Sequence, residues 1–343
     1  MAIRILQCGA GIRGNHWAQF VRKHPDTECV GVVDIDPAAL DRIKAKIEGG
    51  SCRYFSDLDQ ALEQADADAA LIVSPSALHA NQAIRCMEAG LTVMVEKPFG
   101  TSVAEAQSVL ERARALNKQV IVAENYRFFP AERTVKKLLG ERFLGTLDNA
   151  TLIDRRHMPS HTEGPWLASI DYPHLQEVAI HHFDSLRSLF EPRPGSITAR
   201  VWNPPWTDYQ HGANTEALID FGDVRIQYLG TLLSHRFGFS LWIEGERGVI
   251  WTNRKYVAWR PNGSRWFRPI RNVKVPPGDE KKYPQGGTTA LLNSLRDAVR
   301  DGTPAETRGE DNIWTVAMVE AAKLSDRERR TVEIAEVYAG AAG

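Results

Sequence analysis

Cysteine is scarce: Cys8, Cys29, Cys52 and Cys86 are the only four in 343 residues. None is paired at C-x-x-C spacing, which argues against a zinc ribbon or a thioredoxin-like motif and leaves buried, reduced thiols as the reading. An excess of charge of one sign is also missing, since 42 Lys and Arg stand against 43 Asp and Glu. Such a balance offers no electrostatic footprint to nucleic acid or to an anionic membrane surface. No apolar run approaches the length of a bilayer span. The start, MAIRILQCGAG, lacks the long apolar segment and small-residue cleavage site of a secretory signal and reads as a first strand. The expectation is a cytoplasmic protein with neither a nucleic-acid nor a membrane partner. Internal repeats, low-complexity tracts and flexible linkers are absent too. What remains is 43% apolar and 25% charged, the composition of a folded protein too long for one ordinary core.

Two textures divide the chain. Up to about residue 124, apolar strands (IRILQCG, ECVGVVD, CRYF, DAALIVS, TVMVE, QVIVAEN) alternate with amphipathic helices. Strands apolar at every position are buried on both faces, and helical crossovers between them imply a parallel sheet. Beyond 125, helix signals thin out and alternating segments such as TLDNATLIDRR, SITARVWN and FSLWIEGERGVIWTN predict antiparallel strands with one covered face. Two helices near 287–301 and 310–325 and a last strand, TVEIAEV, close the chain. The reading is an α/β Rossmann domain over 1–124, then an α+β domain over 125–343 built on an open-faced, mostly antiparallel sheet.

The first strand runs into Gly9-Ala10-Gly11-Ile12-Arg13-Gly14, a G-x-G-x-x-G loop between a predicted strand and a predicted helix. Glycines there permit a tight turn, the approach of a pyrophosphate to the backbone, and close strand–helix packing. The helix start supplies free N–H groups and a positive dipole end. The second strand ends at Asp34, where an acid accepts hydrogen bonds from the adenosine ribose and repels a 2′-phosphate; Ile35 follows with no basic residue. Together these predict NAD, with NADP disfavoured. The bland alternative is a glycine-rich turn followed by a turn-forming Asp-x-Asp-Pro, and the strand–loop–helix context speaks against it.

Two further strand ends carry polar residues, at the edge where open α/β sheets bind ligands. Ser74 and Pro75 open a turn into a helix bearing His79, which is equally well a cofactor contact or an ordinary first-turn residue. The stretch LTVMVEKPFG brings Glu96 and Lys97 straight out of a buried strand and stops at Pro98. Taken alone, Lys97 is a surface lysine with Glu96 as its solvated partner. Beside a dinucleotide loop it reads as part of a site.

With GAGIRG at 9–14, Asp34, SPSALHA at 74–80, EKPFG at 96–100, ENYRFFP at 124–130 and EVAIHHFD at 177–184, the chain resembles the Gfo/Idh/MocA oxidoreductases. The resemblance spans the first domain and the first third of the second. It implies a Rossmann domain joined to an open-faced sheet that builds homodimers or homotetramers. It also implies that Lys97 contacts both nicotinamide and substrate, that the Lys97–Pro98 peptide is cis, and that Asn125 and Arg127 lie near the cofactor. The family's Asp-x-Gly-x-His-x-x-Asp pattern reads here Glu177, Ala179, His181 and Asp184, its first acid one methylene longer.

In the helix between Pro173 and Pro192, Glu177, His181, Asp184 and Ser188 recur at spacings of four, three and four, which predicts one polar stripe. That stripe selects His181 over His182. His157, His161, His174, His181 and His182 crowd together, but their spacing is irregular and Pro159 breaks the one helical pair, so no metal site is expected. The loop from His157 to His174 is expected as a substrate lid, with Trp166 stacking on a sugar ring and Arg155 binding a hydroxyl or carboxylate, or with both simply packing. The expected activity is NAD-dependent oxidation of a secondary hydroxyl on a sugar, cyclitol or polyol. His181 takes the hydroxyl proton, Lys97 polarises the oxygen, and Glu177 orients His181 or holds a neighbouring hydroxyl. Alternatives are a glycosidase that uses NAD transiently and a non-catalytic NAD-binding sensor.

Overall fold

The computed structural model describes residues 1–47, 52–159, 165–190, 193–263, 271–275 and 286–340. Their contacts divide the chain into two compact units. One takes Met1–Asn125 and the described part of 279–316; the other takes the described parts of 126–278 and 317–341. A single cut at 124/125 therefore omits a later return of the chain to the first unit. A return of this kind depends on long-range packing and leaves no mark in local composition.

In the first unit, β1 (Ile3–Cys8), α1 (Ile12–Lys23), β2 (Thr27–Val33), α2 (Pro37–Lys44), β3 (Arg53–Phe55), α3 (Leu58–Gln64), β4 (Ala69–Ile72), α4 (His79–Glu88), β5 (Thr92–Val95), α5 (Val103–Ala115) and β6 (Val120–Val122) follow one another in strict alternation. The six strands form one parallel sheet in the order β3-β2-β1-β4-β5-β6. All four residues of β4 are buried, as expected of a strand covered on both faces. Three helices start where the sequence supplies a cap: the side chains of Asp36, Asp57 and Ser102 accept from the amides of Ala38, Gln60 and Glu105. The strand order reverses between β1 and β4, and the glycine loop leaves the end of β1 at that switch point.

In the second unit come α6 (Pro130–Gly140), β7 (Leu147–His157), α7 (Pro165–Ser169), a π-helical turn over Leu175–Ala179 continuing into α8 (Ile180–Leu189), and β8 (Ser196–Trp202). Then follow β9 (Asn214–Phe221), β10 (Val224–Thr231), β11 (Leu233–Gly245), β12 (Gly248–Thr252), β13 (Val257–Pro261) and β14 (Arg271–Val273). α9 (Thr288–Asp301) and the start of α10 (Gly309–Glu328), which match the two predicted helices, belong to the first unit; from residue 317 the second unit resumes and ends in β15 (Val332–Glu333) and α11 (Ile334–Gly340). Among the described residues nine strands form one sheet, antiparallel except where β10 runs parallel to β7. On β10, Val224, Ile226, Tyr228 and Gly230 turn inward, and α8 packs on that face through Phe183 and His182. The opposite face carries Leu218, 61% exposed. The expected last strand is a correction: only Val332 and Glu333 of TVEIAEV pair with β8, and from Ile334 on the segment is helix. Ile334 and Val337, three apart, are buried at helical spacing.

Candidate active site: a glycine loop, an anchored strand end and a layered histidine

Each glycine of the loop answers a different demand. Gly9 has φ +113°, and a Cβ there would lie 2.6 Å from the Val73 carbonyl oxygen at the end of β4. At Gly14 a Cβ would lie 2.3 Å from the Gly9 oxygen, so the helix packs directly on the turn. Gly11, the N-cap of α1, has nothing within 4 Å of its Cβ position and no side-chain cap. The loop carbonyls are turned inward onto buried amides. Gln7 Nε2 donates to the oxygens of Gly9 and Gly14, and Asn15 Nδ2 donates to those of Ala10 and Gly11. With the carbonyls held in, the start of α1 presents N–H groups and open space, a cradle that suits a pyrophosphate. Asp34 closes the other side: its carboxylate accepts from the amides of Ala10 (2.7 Å) and Asp36 (2.9 Å). Ile12 and Ile35 flank it, 83% and 87% exposed.

Four expected cofactor contacts are arranged differently from the sequence reading. Glu96 is not the solvated partner of Lys97. Its buried carboxylate accepts from Trp17 Nε1 (2.7 Å) and Arg13 Nε (2.5 Å), and the Arg13 guanidinium lies 5.5 Å from the centre of the Trp17 ring. Burial pushes its pKa up, but the charge of Arg13, the bonds from Trp17 and Arg13, and the charge of Lys97 outweigh this and hold it at about 2. Arg13 is thereby a tie between the loop and the end of β5. Ser74 Oγ donates to Gln82 Oε1 (2.6 Å), next to exposed Pro75. The ring nitrogens of His79 sit 2.7 Å from the Pro98 oxygen and 2.8 Å from the Ser74 oxygen. Buried His79 therefore sits between the turns after β4 and β5 with a backbone carbonyl beside each ring nitrogen, the protonated nitrogen donating. Lys97 is half-buried at the β5 end, and the Lys97–Pro98 peptide is cis, as the resemblance implies. Asn125 is buried and donates to the Gly286 oxygen (2.7 Å).

In the second unit, His181 is half-buried and stacks on Tyr126, ring centres 4.3 Å apart and planes at 22°. The Tyr126 ring also lies 4.2 Å from the Arg254 guanidinium, which approaches Phe239 at 3.8 Å and pairs with Glu132 at 3.3 Å. Burial pushes the Glu132 carboxyl up in spite of Arg254. Arg254 reaches this place from φ +69°, a conformation that costs a non-glycine residue about 1 kcal/mol. Arg156 Nη2 donates to the Tyr126 hydroxyl (3.2 Å), and Arg156 Nε donates to Asp154 (2.7 Å). His182, by contrast, is fully buried, its Nδ1 2.8 Å from the Tyr228 hydroxyl. Burial first, then the charges of Arg254 and Arg156, depress its pKa well below the usual histidine value. His174 is buried against Gly230 and bonds Thr215 Oγ1; burial and Arg156 lower its pKa to about 3.

The expected polar stripe needs correction. Glu177, in the π-helical turn, and His181 and Ser188, on the α-helix that follows, share a half-buried line, and Asp184 departs from it. Glu177 and Ser188 are half-buried, while Asp184 is fully buried in a bidentate pair with Arg127 (2.5 and 2.6 Å). Arg127 thus has its guanidinium engaged by a carboxylate of its own unit. Arg155 is half-buried on β7. Strand alternation puts it on the face of β7 opposite Asp154 and Arg156, so the arginine beside His182 is Arg156. Residues 160–164, His161 among them, and the Trp166 side chain lie outside the described residues, which leaves most of the expected lid there too. Among the described residues no group of three His, Cys, Asp or Glu is placed to hold a metal ion.

Sequence reasoning missed Gln7, Asn15, Trp17, Tyr126 and Arg254. Trp17 was findable, four residues after Arg13 on the same helix face. Asp154 and Arg156 were findable too, since counting by twos along β7 aligns them with buried Ala150 and Leu152.

Known proteins share this fold. Residues 3–124 match the GFO_IDH_MocA family, described as an oxidoreductase family with an NAD-binding Rossmann fold. Over that stretch the chain is similar to the Gfo/Idh/MocA oxidoreductases. An inositol 2-dehydrogenase of Rhizobium meliloti (strain 1021) is 24% identical over 98% of this chain and 100% of its own. The crystal structure of an oxidoreductase from Agrobacterium radiobacter, in complex with NAD+, L-tartaric acid and magnesium, superposes with a TM-score of 0.87 at 18% identity, covering 98% of this chain and 99% of that one. The WlbA dehydrogenase from Chromobacterium violaceum, in complex with NADH and UDP-GlcNAcA, gives 0.81 at 20% identity, covering 97% and 96%. At these identities the structural likenesses speak for the fold. With this Rossmann match and dehydrogenases among its relatives, the chain is an NAD(P)-binding oxidoreductase. No helix among the described residues is long and apolar enough to cross a membrane.

Proposed function

We propose that this oxidoreductase oxidises a secondary hydroxyl of a sugar, cyclitol or related polyol, with NAD as its cofactor. The preference for NAD rests on Asp34. Its carboxylate is fixed by two backbone amides beside the glycine loop, and a 2′-phosphate brought to that place meets a negative charge that cannot swing away. Gly9, Gly11, Ile12, Arg13, Gly14, Asp34, Ile35, Ser74 and Pro75 are the residues that would hold the dinucleotide. When bound, NAD supplies the hydride-accepting ring. Lys97, whose ammonium leaves a buried strand end, polarises the substrate oxygen as negative charge develops there. His181, stacked rather than buried, takes the hydroxyl proton near neutral pH, and Glu177 orients it or holds a second hydroxyl. The inositol dehydrogenase relative and the polyhydroxylated ligands of the two solved structures favour this substrate class.

The observation that carries the reading is the pairing of Glu96 with Arg13 and Trp17. It fixes the strand end that bears Lys97 against the glycine loop. The test is a screen of inositols and pyranosides for NADH formation, repeated with Lys97→Ala. Turnover should fall by about three orders of magnitude while NAD still binds. A Lys97→Ala enzyme that keeps most of its rate refutes the assignment. The exposed sheet face around Leu218, Thr151, Ile153 and Gln227 supports a homodimer or homotetramer, which light scattering on the purified chain decides.

A further inference from the structure

Two of the four cysteines are neither buried nor apart. Cys29 opens the middle of β2 and Cys52 immediately precedes β3, which runs parallel beside it with Gly31 opposite Arg53. The two residues are 23 apart in the chain, yet their Sγ atoms lie 3.5 Å from each other. Both side chains are half-buried at the edge of the first sheet. They pack, together with Leu40 and Tyr54, against the core between α1 and α2. Cys8 and Cys86, in contrast, are fully buried. The sequence reading of four buried thiols therefore holds for one pair only.

We propose that Cys29 and Cys52 are a modification site, a dithiol that a hydroperoxide converts into a reversible intramolecular disulfide. The two sulfurs already lie in contact at 3.5 Å, on β2 and at the entry to its neighbour β3, so they need approach each other by only about 1.5 Å to close the bond. The two thiols differ in reactivity. The hydrogen bond from Cys29 lowers the Cys52 pKa against burial and the charge of Glu28, with the Tyr54 hydroxyl adding to the lowering. The same contact and burial raise that of Cys29. The Cys52 sulfur also lies nearer solvent than that of Cys29, which makes Cys52 the attacking thiol and Cys29 the resolving one. The Cys52 sulfur attacks the peroxide oxygen, the O–O bond breaks, and Cys52 sulfenic acid and water (or an alcohol) leave the step. The Cys29 sulfur then displaces hydroxide from the sulfenic sulfur. The S–S bond forms and the second water departs with the Cys29 proton. Two thiols are oxidised by two electrons and one peroxide is reduced. The ring so closed contains Asp34 and α2, and its cross-link restricts the unfolded chain.

The proposal concerns the thiols themselves and does not depend on the identity of the substrate. Its test treats the full-length protein with hydrogen peroxide, alkylates the remaining thiols and maps peptides without reduction. The expected result is the loss of two alkylatable thiols per chain, one peptide pair joined through Cys29 and Cys52, and its release by dithiothreitol. In Cys29→Ser, dimedone should label Cys52; in Cys52→Ser, Cys29 should stay alkylatable. Oxidation should raise the thermal midpoint of the wild type and of neither variant. Any of four results overturns the proposal: both thiols still alkylatable after treatment, Cys52 carried to sulfinic acid with Cys29 free, a cross-link between chains, or a joined pair that lowers the midpoint.

Discussion

Placing one methyl group at two glycines of the loop separates folding from cofactor binding. Gly14→Ala puts a carbon 2.3 Å from the Gly9 oxygen and 2.9 Å from the Gly9 carbonyl carbon. Both are backbone atoms and cannot rotate away. Overpacking of this kind costs about 1–3 kcal/mol, against a helix-propensity gain of about 1 kcal/mol for replacing glycine by alanine. Because the overlap is deep, the upper part of that range applies, and a net loss near 2 kcal/mol follows. Gly11→Ala meets no atom within 4 Å, and its φ of −63° is open to any residue. Folding stability should therefore change by less than about 1 kcal/mol. The same methyl, however, stands in the space before the uncapped start of α1. NAD affinity should fall at least tenfold, about 1.4 kcal/mol. Thermal unfolding and titration calorimetry with NAD, run on both variants, read the two quantities independently. A Gly11→Ala protein that binds NAD like the wild type removes the pyrophosphate from this loop. A Gly14→Ala protein as stable as the wild type removes the packing argument.

Three other outcomes follow from buried charges. Glu96→Ala leaves Arg13 and the Trp17 indole without their acceptor and should cost about 3 kcal/mol, the value of lowering a carboxyl from 4.5 to about 2. Because the folded-state pKa is depressed, that stabilisation is complete above pH 4.5 and fades as pH falls toward 2; urea melts at pH 7 and pH 3 should show the variant's deficit shrinking. His174, whose pKa is lowered to about 3, binds a proton in the unfolded chain from about pH 6.5 downward but not in the folded one. Its contribution is present above pH 6.5 and lost as pH drops toward 3, so His174→Gln should flatten the acid side of the stability curve over that window. Arg254→Met strands Glu132 in the core and should cost about 3 kcal/mol at pH 7, less in acid where Glu132 takes up a proton; adding Glu132→Leu should recover most of the loss.

The first unit was legible almost element by element because its signals are local. A parallel strand buried on both faces is a run of apolar residues, a crossover helix begins at an Asp or Ser cap, and a phosphate loop is three glycines at fixed offsets. The second unit was legible as strands and only partly as a site. The spacing of Glu177, His181, Asp184 and Ser188 implied a regular α-helix, and the π-helical turn that breaks the regularity has no composition of its own. That Asp184 would be buried was not legible, because the cation that neutralises it, Arg127, lies 57 residues away in the chain. Arg254 had no local signature whatever: it is an arginine in a turn, and only the closed sheet brings it against Tyr126. Arg155 and Arg156 could have been told apart, since one step along a strand exchanges faces.

The placement of Glu96 bears on how binding and chemistry share a single element. A glutamate next to Lys97 that was left in solvent would form a mobile ion pair with it, and the ammonium would follow the carboxylate wherever that side chain wandered. Here the carboxylate is fixed by an arginine of the glycine loop and a tryptophan one turn further along α1, both within hydrogen-bond distance. The strand end that carries Lys97 is consequently tied to the loop by a charged bond in a low-dielectric setting, where such bonds are strong. His79 adds a second tie, from the turn after β4 to the carbonyl of Pro98 itself. Lys97–Pro98 is thus held from both sides by groups whose other partners belong to the nucleotide-binding edge of the sheet. A loop that shifts on taking up a dinucleotide must carry Arg13 with it, and Arg13 carries Glu96. Affinity at the glycines and the position of the lysine are therefore one mechanical quantity, and a substitution at Arg13 or Glu96 should alter both together, whereas one at Asp34 should alter only the first.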